Sequence, residues 1–238
     1  MKKCLIAVTV SAIALTIFSG PLLAADSFLS TSGNIFTPDD TVLSVGSFDV
    51  NVHNVQFNNN AISMTVFGVE LGATPGLEID LAQMANSSGG SNSNTIINAK
   101  YQVIEEGTTS PSLTFGVVDA TASLNANGNP GFYAVVGKNL TKHTNDFSDK
   151  PIPESHVYVG IGTGIYNGFF AGANFGLTDH VQLMAEYVNE VKIQNVFDMQ
   201  SGFNAGVRLN LTDNIRADVA WLNGSNIGYG IAYVQKGL

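Results

Sequence analysis

Cysteine is nearly absent from this 238-residue chain: Cys4 is its only thiol, and it lies far ahead of the small residues where a lipid-modified cysteine would sit. No disulfide can form within the chain, so the fold has to be held by hydrogen-bonded backbone and burial alone. Charge is scarce as well, at 12% of residues, and basic residues are the scarcer kind, ten against 19 acidic ones. A nucleic-acid partner is excluded on that ground, because neutralising phosphates takes clustered Lys and Arg. Beyond residue 25 no unbroken apolar run reaches the roughly 20 residues of a membrane-spanning helix, which argues against a helical membrane protein. A hydrophobic content of 45% argues equally against a disordered chain.

The amino terminus carries an address. Met1, Lys2 and Lys3 precede an apolar run from Cys4 to Phe18, then Ser19, the helix-breaking pair Gly20 and Pro21, and the small residues Ala24 and Ala25. Charge, apolar core and cleavage site in that order predict a secretory signal peptide over residues 1–25, cut after Ala24 or Ala25. Loss of Lys2 and Lys3 from the ten basic residues, against 19 acidic ones, takes the formal charge from −9 to about −11. Residues 26–238 then form one domain.

The dominant period in that domain is two. Ile97, Ala99, Tyr101 and Val103 alternate with Asn98, Lys100 and Gln102. Phe203, Ala205, Val207, Leu209 and Leu211 alternate with Asn204, Gly206, Arg208 and Asn210. Such sets put one apolar and one polar face on a strand, whereas helical spacing would scatter them. Segments of this kind between turn signals predict strands at 41–50, 61–71, 76–84, 95–105, 112–119 and 131–140. The second half adds 156–165, 168–177, 180–189, 201–211, 214–222 and 226–234.

About twelve strands, most of them near the roughly 9–11 residues that cross a bilayer at a tilt, predict an all-β, up-and-down antiparallel transmembrane β-barrel. Tight turns at Ala73 to Gly76, Thr178 to His180 and Thr212 to Asn214 fall on one side, and the longer Asn86 to Asn94, Thr121 to Pro130 and Val191 to Gln200 on the other. Two connections break the rule: Thr141 to Ser155 is long on the short side, and Tyr166 to Gly168 is short on the long side. The stretch Gly172 to Val181 recurs as Gly206 to Ile215, sharing its Leu-Thr-Asp turn, with Gly68 to Leu77 a weaker copy. Reused hairpins need neighbours, and closure into a barrel removes the exposed edges. A soluble β-sandwich binding protein is the alternative with the same periodicity.

The last strand, Asn226 to Tyr233, carries the polar residue, glycine and spaced hydrophobics that outer-membrane insertion machinery reads, although Leu238 replaces the usual terminal aromatic. The set Gly33 to Pro38, Asn98 to Val103, Ser112 to Asp119, Val159 to Gly164 and Gly168 to Gly172, together with the Leu-Thr-Asp hairpins, resembles the YjbH-like outer-membrane β-barrels. That resemblance implies a Gram-negative envelope location, porin-like architecture and a link to exopolysaccharide export.

Candidate chemistry is thin. None of His53, His143, His156 and His180 has a partner at metal-ligand spacing, so no metal or cofactor is expected. His180 occupies a turn whose repeat counterpart is Asn214. His156 follows Glu154 and Ser155, which leaves an outer-membrane hydrolase as an alternative, but the His-x-Ser element of such enzymes is missing and no catalytic residue is assigned. Gly160, Gly162 and Gly164 share one strand face, and Gly228 and Gly230 another, as curvature or close packing requires. The sharpest lead is the set of lumen-facing charges Glu78, Asp80, Lys100, Glu186, Arg208, Arg216 and Asp218. Either they line a narrow pore, or they pair and brace the interior of a scaffold. Outer-membrane lipid is the one partner the apolar face requires.

Overall fold

The computed structural model describes residues 24–57, 62–87, 93–124, 128–140, 155–193 and 196–237. The expected signal sequence lies almost wholly outside them. Twelve strands follow in chain order: β1 (Phe48–Phe57), β2 (Ile62–Thr74), β3 (Leu77–Asn86), β4 (Ser93–Ile104), β5 (Ser112–Val118) and β6 (Gly131–Asn139). Then come β7 (Ser155–Gly162), β8 (Gly168–Thr178), β9 (Val181–Ile193), β10 (Phe197–Asn210), β11 (Ile215–Leu222) and β12 (Asn226–Gln235). Each pairs antiparallel with its neighbours in sequence, and β1 closes on β12 in a register running from Phe48↔Gln235 to Gln56↔Ile227. The result is a closed barrel with no free edge.

Alternation decides which way each side chain points. On β3, Glu78, Asp80, Ala82 and Met84 are buried while Ile79, Leu81, Gln83 and Ala85 are exposed. The exposed set across all strands is a band of large apolar side chains, among them Phe67, Leu81, Phe132, Ile161, Phe203, Val219 and Ile231, each about half exposed. A soluble protein rarely exposes so continuous an apolar surface, and a lipid-facing barrel requires it. Aromatic side chains mark both borders of the band, with Phe48, Tyr101 and Tyr233 toward the end that holds both barrel termini and Phe132, Phe169 and Trp221 toward the other. We call the first the inner, periplasmic end and the second the outer end.

Two expectations need correction. The first strand is Phe48–Phe57, not 41–50; Asp49, Asn51 and His53 face inward and Phe48, Val50 and Val52 outward, so the alternation runs on well past residue 50. The stretch Val191 to Gln200 is not a long loop, since β9 continues to Ile193 and pairs it with Phe197 of β10, burying Val191, Ile193 and Met199. The short outer connection at Tyr166 folds inward over the lumen, where the Tyr166 hydroxyl donates to the Phe36 carbonyl at 2.7 Å. The long inner connection expected after Thr141 falls at 141–154, outside the described residues.

Residues 24–46 do not join the wall. They enter the lumen and double back on themselves through isolated bridges Asp26↔Ser32 and Gly33↔Pro38, with Phe28 N donating to Ile35 O at 2.7 Å. Every residue from Asp26 to Asp40 is buried. Both ends of this plug lie at the inner rim: Asp26 lies 3.3 Å from Arg216 near the start of β11, and Ser47 leads into β1. Inward glycines make room for it. A methyl group on Gly228 would overlap the Phe28 ring, one on Gly137 the Asp40 carboxylate, and one on Gly68 the Ser30 hydroxyl.

Candidate functional site

The structure places all seven charges singled out in the sequence on inward, buried positions of the wall. Most of their partners belong to the plug. Glu186 on β9 accepts from the Ile35, Phe36 and Thr37 amides at 3.2, 3.0 and 2.9 Å, from the Thr37 hydroxyl at 2.8 Å, and from Asn204 Nδ2 at 2.8 Å. Glu78 accepts from Ser32 N at 3.0 Å and Leu43 N at 2.7 Å, and from the Ser32 hydroxyl. Lys100, directly across the register from Glu78, donates to Ser32 O at 2.8 Å and lies 3.6 Å from Asp39 and 3.7 Å from Glu78.

Arg208 and Asp218 are cross-strand partners on β10 and β11 and form a two-point pair, 2.9 Å from Nε to Oδ1 and 2.7 Å from Nη2 to Oδ2. The same Nη2 also reaches Asp26 O at 2.7 Å and Asn34 O at 3.3 Å. Arg216 binds Asp49 at 2.6 Å, approaches Asp26 at 3.3 Å and caps Ala24 O at 3.2 Å. Within the expected set only Arg208 with Asp218 and Lys100 with Glu78 pair with one another. Asp80 stands apart, with no hydrogen bond to either carboxylate oxygen.

Sequence reasoning missed the plug and therefore the residues that face it. Asp26 meets His53 of β1, and Asp40 meets His156 of β7 at 2.7 Å, whose other ring nitrogen lies 3.0 Å from Asn139 Oδ1. Burial pushes the Asp26 carboxyl up, but His53, Arg216 and Arg208 outweigh it and hold the group well below the ordinary carboxylate range. Asp40 is likewise raised by burial and brought below its ordinary value by His156 and Ser112. The available signals were the acids Asp26, Asp39 and Asp40 in a stretch otherwise rich in Ser, Thr, Asn and Gly, and the paired aromatic and aliphatic residues Phe28-Leu29 and Ile35-Phe36.

Ser112, Asp40 and His156 do come together, in an order that matters. The Ser112 hydroxyl donates to Asp40, and His156 meets the other oxygen of the same carboxylate, so the acid stands between hydroxyl and imidazole. A nucleophilic serine needs the imidazole next to its hydroxyl. Glu154 lies outside the described residues, and His180 is an exposed turn residue whose Nδ1 sits 3.1 Å from Asn210 O.

A closed, twelve-stranded, all-antiparallel barrel with a lipid-facing apolar band and polar groups sealed inside is an outer-membrane β-barrel, and the outer membrane is where this chain resides. No family model matches the chain, and no curated protein matches it. Among solved structures it is similar to the KdgM porin, at 9% identity over 78% of this chain and 98% of that one, with a TM-score of 0.52. It is also similar to Omp33 of Acinetobacter baumannii, at 6% identity over 80% and 97% of the two chains and a TM-score of 0.49. An outer-membrane channel from Pseudomonas putida F1 gives 9% identity over 84% and 100%, with a TM-score of 0.41. At 9% identity the likeness to the KdgM porin is one of fold.

Proposed function

We propose that this chain is a narrow, non-enzymatic outer-membrane pore held shut by its own amino-terminal segment. The observation that carries the reading is the way Glu186 serves the plug: three consecutive backbone amides and a hydroxyl of residues 35–37 converge on one buried carboxylate. Such a contact binds a particular loop of backbone and leaves a solvated acid behind when that loop departs. With the plug gone, the wall would present Asp49, Glu70, Glu78, Asp80, Glu186 and Asp218 against Lys100, Arg208 and Arg216. That excess of carboxylates favours cations.

Residues 1–25 act in this reading as a signal peptide, and cleavage after Ala24 or Ala25 leaves the plug tethered only through Ser47. The last strand serves insertion into the membrane. The motifs resembling YjbH-like barrels support an envelope role beside exopolysaccharide export, and Gly33 to Pro38 among them belongs to the plug. Planar-bilayer recording tests the reading, with wild type compared to a chain lacking residues 26–40. Little conductance in the wild type and a steady, cation-selective conductance in the deletion are expected. A wide conductance in the wild type would refute the plugged pore and leave an open one, and none in a correctly folded deletion would refute it and leave a scaffold.

A further inference from the structure

Nearly every buried charge in the lumen has found a partner, and the exceptions lie together. Glu70 and Asp80 face each other across the β2–β3 register, and Glu78 is two residues from Asp80 on the same face of β3. All three are fully buried, and one oxygen from each lies within 4.8 Å of the others. Glu78 is served by the plug amides and Lys100, and Glu70 Oε1 accepts from Asn51 Nδ2 at 3.2 Å. Glu70 Oε2 and both Asp80 oxygens have no hydrogen-bond donor. The cations nearby leave Glu70 Oε2 and Asp80 unpaired, Lys100 meeting Ser32 O, Asp39 and, within the trio, Glu78, and Arg216 meeting Asp49 and Asp26.

A second, separate observation comes from the plug. The Thr31 hydroxyl, 1% exposed, faces Asp80 and meets the geometry of a hydrogen bond to nothing. The Ser30 hydroxyl and Asn51 Oδ1, both buried and also without partners, crowd together over Gly68, one inward step along β2 from Glu70. The atoms left without partners here are thus all oxygens. Oxygen donors without nitrogen or sulfur select hard cations. Calcium takes six to eight of them at about 2.3–2.6 Å, so ligands on opposite sides of one ion lie about 5 Å apart. The 4.8 Å span of the three carboxylates has that size.

We propose that Glu70, Glu78 and Asp80, joined by Thr31 from the plug, bind one hard divalent cation of calcium size. With Glu78 offset by Lys100, Glu70 and Asp80 leave two negative charges, which one such ion neutralises. Because Thr31 belongs to the plug and Glu78 also holds Ser32, the ion clamps the plug to the β2–β3 wall. The site needs the plug but not conduction, so it is read out by ion content and stability and stands or falls separately from the pore reading.

The test uses protein refolded in detergent free of lipopolysaccharide, which itself binds divalent ions, and stripped with EDTA. After equilibrium dialysis against calcium, atomic emission should count one ion per chain. Calcium at a concentration of about 100 times its Kd should raise the folded-to-unfolded ratio in urea about 100-fold over EDTA. Asp80→Asn and Glu70→Gln should each lose the ion and the calcium response, and Thr31→Val should weaken binding while the barrel still folds. If either carboxylate variant does not refold, the other and the wild-type ion count decide. A wild type that retains no calcium and unfolds identically in calcium and EDTA would overturn the proposal, leaving the carboxylates to share protons. Calcium bound equally by wild type and all three variants would overturn it too, by placing the ion elsewhere.

Discussion

Toward the outer end the inward positions of β1 to β4 are Val55, Phe57, Met64, Val66, Met84 and Ile96; toward the inner end, on the same strands, they are Asp49, Asn51, Glu70, Glu78, Asp80 and Lys100. The plug matches both halves. Phe28 and Phe36, edge to face at 5.8 Å, join the apolar cluster above, while Asp26, Ser32, Asp39 and Asp40 meet the charged wall below. Outside, the order inverts near the outer rim, where Asn54 bonds Thr65 at 2.9 Å and Thr95 bonds Gln83 at 3.1 Å in place of lipid-facing apolar residues. Apolar contact seals the lumen without demanding one plug conformation. The charged half demands one, because a buried charge left without its partner is costly.

Removing a charge from the inner half should therefore have the largest effect. Arg208→Ala leaves Asp218 unpaired and two plug carbonyls without donors, and should cost about 3–5 kcal/mol in urea unfolding in detergent. A loss near zero would mean that water already solvates the pair and that the two halves do not differ. Next comes the contrast between the lipid face and the outer rim. Val207→Arg, outward between Val219 and Leu183, should cost about 2–4 kcal/mol, whereas Gln83→Arg at the polar outer rim should cost about 0–1 kcal/mol. Equal tolerance at the two sites would remove Val207 from the bilayer. The smallest effect belongs to the apolar half of the lumen: Met84→Leu, a swap of similar volume, should stay below about 1.5 kcal/mol in the same assay.

The wall was legible in the sequence because a barrel strand writes its two environments into alternate residues. Glu78, Asp80 and Leu81 declared their faces, and the Thr178 to His180 and Thr212 to Asn214 turns fixed the strand order. The plug was not legible, because residues 26–46 have no period: their apolar and polar groups meet a wall contributed from up to 182 residues away, as in the contact of Asp26 with Arg208. Without the plug, the inward charges could be given only the water of a pore or one another as partners, and Glu186 with its backbone amides could not be foreseen. The apolar upper lumen was hidden for a related reason. Val55, Met64 and Met84 alternate just as lipid-facing residues do, and only the parity of the whole strand turns them inward.

Occupancy of the lumen by residues 26–40 is the claim on which the rest depends, and thiol labelling reads it directly. With Cys4 replaced by Ser, a chain carrying Ser30→Cys has one thiol, seated against Gly68 in the plug, and Ser110→Cys provides an exposed control. In the folded barrel a membrane-impermeant maleimide should modify position 30 at less than about a tenth of the rate at position 110, and at the same rate once urea unfolds the chain. Equal rates in the folded protein would show an open lumen and contradict the account.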